Sequence, residues 1–270
     1  MATETWVVTG PQIIEIDDVE ALRVQLVGGR VDVVARDEPG ARIEIHRVDG
    51  RPLEVGLENG ELRVGYAFTL GGWEGFLEKF RNFRDKDQAD VHIAIPRDVS
   101  AKLGTVSAEG LLAGVRVPSS VSTVTGSIVV DGTRGALVTH AVSGEVIVRN
   151  HAGDIRMDSV SGEITASGAL QRVTASTVSG AISLDATSSV ASVSASTVSG
   201  DVTVRLPAAQ GFRVEARSVS GRVVVDGREH KGSSPGQVKV DLADGADACH
   251  VSATSVSGHV TVLRAPVGAA

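Results

Sequence analysis

Aromatic side chains are scarce in this chain of 270 residues: 5 Phe, 2 Trp and 1 Tyr make up 3% of it, and Met occurs only twice. A core built on large anchors is therefore excluded, although 42% of the residues are hydrophobic and a chain of this length buries a sizeable core. What is left is aliphatic, which suits many short strands packed on Val, Ile, Leu and Ala. Cysteine is nearly missing too. Cys249 stands alone, so neither an intrachain disulfide nor a multi-cysteine metal site can form. His250 beside it does not make a nucleophile, because neighbours on a strand point to opposite faces; Cys249 reads as a small core residue. Positive charge is in deficit, with 26 Lys and Arg against 33 Asp and Glu. A formal charge of -7 repels phosphate backbones and excludes nucleic acid as a partner. No run approaches the ~18 apolar residues of a spanning helix. Met1 to Gln12 lacks a basic start, an apolar stretch and a small-residue cleavage site, so the expected location is the cytoplasm.

Catalytic strings are absent as well. The chain holds no nucleophile elbow, Walker loop, His-Glu-x-x-His zinc helix, EF-hand or glycine-rich calcium nonapeptide. Its seven histidines (His46, His92, His140, His151, His230, His250 and His259) are scattered, without ligand spacing, and read as surface or half-buried residues. No catalytic residue, metal or cofactor is expected.

What the chain does contain is a repeat, Val-Ser/Thr-Gly-x-Ile/Val, whose glycines are Gly126, Gly144, Gly162, Gly180, Gly200, Gly221 and Gly258. They are spaced by 18, 18, 18, 20, 21 and 37 residues. The last gap reads as two turns, with Gly236, Val238 and Val240 as a worn copy. Two residues after each glycine stand Ile128, Val146, Ile164, Ile182, Val202, Val223 and Val260, and four after it another apolar residue, from Val130 to Val262. Seven before it runs a third column: Leu137, Ile155, Val173, Val193, Val214 and Val251. These are period-two strands with one face inward, at least two per repeat.

A period of 18 to 21 residues is shorter than the ~33 of helical repeats or propeller blades. It fits one coil of a β-solenoid. At ~3.3 Å per residue such a rung measures roughly 60 Å around, and rungs stacked at ~4.8 Å build a rod over about residues 105–262. Glycine, permissive at positive φ, is expected at the corners, with the Ser or Thr before it bonded to the turn backbone. An open antiparallel sandwich also explains the alternation, but not the recurrence of identical residues at identical phase.

Residues 1–104 form a looser, strand-rich part continuous with the solenoid, and 263–270 a flexible tail. Leu22 to Val27 and Val31 to Val34 flank Gly28-Gly29, and Leu53 to Leu57 and Leu62 to Val64 flank Asn59-Gly60; both read as hairpins or tight corners. At about 72–86 the pattern turns helical, with Trp73, Phe76, Leu77, Phe80 and Phe83 on one face of a short amphipathic helix. Such a helix either caps an open end of the solenoid or offers an apolar face to a partner or a membrane surface. A second candidate is the column one residue after each glycine, Ser127, Glu145, Glu163, Ala181, Asp201 and Arg222. One rung, ~5 Å, would separate Glu145 from Glu163, a spacing that suits a pair of glycoside-hydrolysing carboxylates. Ala181 and Arg222 break the column, and the stacking aromatics of sugar sites are missing.

The Val-Ser-Gly-x-Val repeats, the hairpin-rich start and the strand Asp90-Val91-His92-Ile93-Ala94-Ile95-Pro96 resemble the bacterial adhesin-like family of β-strand-repeat proteins, related to the toastrack domains of envelope-stress proteins. The resemblance covers roughly residues 12–262. It implies a right-handed single-stranded β-helix that serves as an adhesion or interaction module, with no established catalytic residues. The expected function is thus a non-enzymatic scaffold that binds a protein partner or itself. A carbohydrate-active enzyme using stacked carboxylates and a peripheral membrane sensor remain the alternatives.

Overall fold

A computed structural model describes residues 4–66, 87–230, 238–244 and 249–265. The described residues are all-β, with no helix among them. The helix expected at about 72–86, with Trp73, Phe76, Leu77, Phe80 and Phe83, lies outside the described residues, as do Gly236 and the last five residues of the tail. Among the described residues no helix is long and apolar enough to cross a membrane.

The chain divides into two compact units, 1–135 and 136–270. In the first, twelve strands form two ladders. One runs β1 (Glu4–Val8), β6 (Leu53–Glu58), β7 (Glu61–Gly65), β3 (Ala21–Leu26), β9 (Ser100–Thr105), β11 (Ser119–Thr123). The other runs β2 (Gln12–Ile16), β5 (Ala41–Asp49), β8 (Gln88–Pro96), β4 (Gly28–Arg36), β10 (Glu109–Ala113), β12 (Ile128–Asp131). Each ladder starts with two antiparallel pairings and continues parallel. Asn59-Gly60 turns a true hairpin between β6 and β7, both residues at positive φ as the type I′ turn requires. Gly28-Gly29 turns a corner instead, because β3 and β4 pair with different neighbours.

The second unit repeats the plan. Its first ladder is β13 (Leu137–Ala141), β14 (Val146–Ser159), β15 (Ile164–Thr177), β17 (Ser192–Thr197), β23 (Cys249–Ser255), β19 (Phe212–Ser218), β22 (Val238–Asp244). Its second comprises the N-terminal halves of β14 and β15, then β16 (Ile182–Ala186), β18 (Val202–Leu206), β24 (Val260–Arg264), β20 (Val223–Val225) and β21 (Arg228–His230). The rung-to-rung pairings are parallel and in register, Ile164 on Ile182 on Val202 on Val260. An open antiparallel sandwich is thereby overturned in favour of a β-solenoid-like stack of two-strand rungs.

Space and sequence part company at one rung of each unit. The β23–β24 rung, last in sequence, slots between β17–β18 and β19–β20. The β3–β4 rung, early in sequence, likewise slots between β7–β8 and β9–β10. The supposed worn copy is also corrected: Val238 and Val240 lie on β22, which runs antiparallel to β19 and is not a rung. An antiparallel strand at the end of a parallel ladder covers backbone groups that would otherwise template aggregation.

All three predicted columns are buried, from Ile128 to Val260, Val130 to Val262 and Leu137 to Val251. Identical neighbours above and below leave room for aliphatic side chains only; Tyr66 and Phe212 are the buried aromatics among the described residues.

The repeat glycines stand at the corners, though not because of backbone freedom. None of the seven has positive φ. A Cβ at Gly162 would collide with the Gly144 carbonyl oxygen, and Gly180, Gly200, Gly258 and Gly221 stand in the same relation to the glycine of the rung before each in space. In the first unit Gly126 meets Ala108 in this way. At Gly126 the hydroxyl just before the glycine bonds the turn as expected, Thr125 Oγ1 donating to Val106 O at 3.1 Å; in the second unit the hydroxyls at Ser159, Ser218 and Ser255, three residues before their glycines, bond the corner. Gly162 N donates to Ser159 Oγ at 3.0 Å and Gly221 N to Ser218 Oγ at 2.9 Å. Ser255 Oγ and Ser218 Oγ donate to the carbonyls of Gly200 and Gly258, at 2.9 and 2.7 Å. Buried hydroxyls thus satisfy corner groups that no strand partner reaches.

Gly180→Ala should cost about 3 kcal/mol, since a backbone carbonyl must move to admit the methyl. Ser179→Ala, on the exposed side of the same corner, should stay within about 0.5 kcal/mol of the parent. Urea unfolding of the two variants checks the pair, and equal stabilities would refute the close-approach account of the glycine.

Candidate functional site: the exposed corner of the second unit

Immediately before each corner glycine the chain presents Val-Ser to solvent. Ser161 N donates to Val142 O, Ser179 N to Val160 O, Ser199 N to Val178 O, Ser257 N to Val198 O and Ser220 N to Val256 O, at 2.7–2.9 Å. These bonds set the spatial order Val142, Val160, Val178, Val198, Val256, Val219. The backbone of the corner is thus held rung to rung while its valine side chains point outward. Five of them are 42–51% exposed, and they account for five of the seven exposed large hydrophobic residues described. Val142 is half-buried. In the first unit the equivalent Val106 is buried and Val124 half-buried, so there the same residue type has a packing reason.

Beyond the glycine runs the charged column. Backbone bonds from Val146 to Glu163, Ile164 to Ala181, Ile182 to Asp201, Val202 to His259 and Val260 to Arg222 give the order Glu145, Glu163, Ala181, Asp201, His259, Arg222. His259, far away in sequence, therefore stands between Asp201 and Arg222. It is fastened there twice: His259 N donates to Asp201 Oδ1 at 2.8 Å, and Arg222 N donates to His259 Nδ1 at 3.0 Å. The second bond leaves Nε2 to carry the proton of a neutral ring. Glu145 and Glu163 do fall on adjacent rungs, but on an exposed corner.

On the flat faces, charges are matched between rungs: Arg172 with Asp154 at 3.2 Å and Arg205 with Asp185 at 2.9 Å. Arg264 pairs with Asp226 and, at 3.0 Å, with Asp244, and its guanidinium lies 4.9 Å from the Phe212 ring centre. Exposed pairs of this kind contribute about 0–1 kcal/mol each. Glu145, Glu163 and Arg222 form no ion pair among the described residues.

Cavities are shallow. The Phe212–Arg264 end encloses about 430 Å³ with Asp226, His230 and Asp244. In the first unit a groove of about 280 Å³ lies over Arg23, Lys102 and Gly104, and one of about 560 Å³ gathers Asp18, Glu20, Asp37, Glu38 and Asp98. Neither Glu145 nor Glu163 lines any of them. Among the described residues no group of three His, Cys, Asp or Glu side chains could hold a metal. His151, expected at or near the surface, is fully buried, its Nε2 3.3 Å from Asp154 O. Cys249 is 1% exposed while His250 is exposed, as strand alternation requires.

Burial pushes the Cys249 thiol up to about 11. A pKa raised on folding contributes stability that is complete below the unfolded thiol's value, ~8.5, and is lost as pH rises towards the folded one. Native protein at pH 8 should therefore react with a thiol reagent at least about 100-fold more slowly than urea-unfolded protein. Comparable rates would place the sulfur in reach of solvent.

Residues 19–263 match the family model described as Toastrack DUF4097. Among solved structures the chain is similar to a Parabacteroides distasonis ATCC 8503 protein named for lipid binding, at 13% identity over 98% of this chain and 97% of that one, with a TM-score of 0.51. A protein of the same organism named as an adhesin aligns at 14% identity over 98% and 97% of the two chains, with a TM-score of 0.49. A Clostridium sporogenes ATCC 15579 protein named for cell adhesion aligns at 11% identity over 98% of this chain and 100% of that one, with a TM-score of 0.32. No curated protein matches. Identity this low supports a shared fold alone, and only for the first of the three.

Proposed function

The chain belongs to the Toastrack family, and from that premise we propose that it works as a non-enzymatic β-solenoid-like scaffold, an adhesion-like module that binds protein through the exposed corner of its second unit. The observation that carries this reading is the valine column, Val160, Val178, Val198, Val256 and Val219. Val7 and Ile13 are the other exposed large aliphatic residues described, and neither belongs to a row, so a solvent-facing row on successive rungs needs a use other than core packing. Its backbone is already bonded rung to rung. A partner therefore meets a preorganised edge and little ordering entropy is lost on binding. Serines beside the valines and a charged row beyond the glycines supply the polar rim of a protein interface. The net charge of -7 continues to speak against nucleic acid.

The test is retention on immobilised protein, compared between the parent and a Val178→Ser, Val198→Ser variant. A reproducible partner set, this chain included, should be retained by the parent and reduced at least about 10-fold by the double substitution. Retention of nothing reproducible, or retention indifferent to the substitution, would overturn the reading.

A further inference from the structure

We propose that the occupant of this corner is a second copy of the chain, docked antiparallel about a two-fold axis perpendicular to the stack. The inference rests on the interaction-module reading and names its partner. Its basis is the spatial order of the charged column, which sequence order conceals. Glu145 and Glu163 stand at one end, and His259 and Arg222 at the other. Reversed and laid against itself, the column sets Glu145 against Arg222, Glu163 against His259, and Ala181 against Asp201. Of these, Glu145, Glu163, Asp201 and Arg222 are exposed charges that form no ion pair among the described residues, and the pairing gives Glu145 and Arg222 a partner of opposite sign.

The same operation reverses the valine column onto itself, with Val178 on Val198, Val160 on Val256 and Val142 on Val219. Both columns share one pitch, ~4.8 Å per rung, so contacts made at one rung recur in phase at the next. A partner without this spacing would drift out of register. An isologous pair needs its axis in the interface plane. An axis along the stack would join the valines but send the two charged rows to opposite sides. The perpendicular axis alone brings valine onto valine, Glu145 onto Arg222 and the Glu163 carboxylate onto the His259 ring together. A single corner presents a narrow strip, so the pair belongs to the small, weak class of interfaces burying under ~1,200 Å². Dimer formation is accordingly concentration-dependent, with Val178 and Val198 at its centre.

Sedimentation equilibrium of the full chain reads the result. The weight-average mass should climb from 27.8 kDa towards twice that value as concentration rises from about 1 µM to about 300 µM. Val178→Asp with Val198→Asp should weaken association at least about 10-fold. Glu145→Arg and Arg222→Glu, each alone, should weaken it about 5-fold or more, because each sets like charges face to face, while the two combined in one chain should restore the parent constant within about 2-fold. These residues are exposed corner positions, and the charge exchange controls for any loss of folding in the aspartate variant. A chain that stays at 27.8 kDa throughout, or a double exchange that fails to restore association, overturns the antiparallel pair. If that monomer still retains another protein through Val178 and Val198, the interaction-module reading stands while this inference falls. If it floats with phosphatidylcholine vesicles in a valine-dependent way, the column serves a lipid surface instead, and both fall.

Discussion

The whole stack depends on how closely consecutive rungs approach at the glycine corner. The carbonyl oxygen of each corner glycine in the second unit occupies the space where a side chain on the next would begin. Hydrogen-bonded parallel strands can hold their ~4.8 Å spacing through a sharp bend only if that space is empty. Everything near the corner answers to this contact. The hydroxyl three residues earlier turns inward to satisfy the glycine amide or a neighbouring glycine carbonyl. The strands that leave the corner enter in register, and identical aliphatic side chains fall one above another.

The corner also explains why part of the apolar surface faces solvent. With the peptide groups of Val and Ser committed to the rung below and the glycine pressed against its neighbour, the valine side chain has nowhere to go but out. In the first unit Val106 is covered by its surroundings; in the second the row lies open. An open aliphatic row beside charges that form no ion pair among the described residues is the surface on which the proposed interaction rests. Catalysis by Glu145 and Glu163 would require an enclosed, low-dielectric site to set their proton affinities apart. Both sit on an exposed corner, away from the cavities described.

The end rungs bear on function through their order. Were β23 and β24 stacked where the sequence puts them, after β19 and β20, the charged column would run from acidic through Arg222 to His259. Their insertion beside β17 and β18 instead places His259 against Asp201 and leaves Arg222 outermost among the charges. Acidic residues thus stand at one end of the corner and Arg222 at the other, with His259 fastened between Asp201 and Arg222.

Much of the fold was legible in the residues alone. Repetition of Val-Ser-Gly-x-Ile/Val at 18 to 21 residues determined the strand phase, the inward columns and the corners, because a stacked rung tolerates only residues that match the rungs above and below it. Strand alternation was enough to bury Cys249 and expose His250. Even so, a glycine at a corner does not reveal whether it is there for positive φ or for close approach, since both demand the missing Cβ. Nor did the repeat show that its last copy is inserted one place early, or that Val238 and Val240 run antiparallel beside β19. Strand order is a long-range choice, made by whichever edge offers matching hydrogen bonds and an unfilled core. By itself the sequence thus determined which residues are rungs and which of their side chains turn inward, since both follow from local alternation. Only the tertiary structure decided which rung lies against which, and with that which charges share the exposed corner.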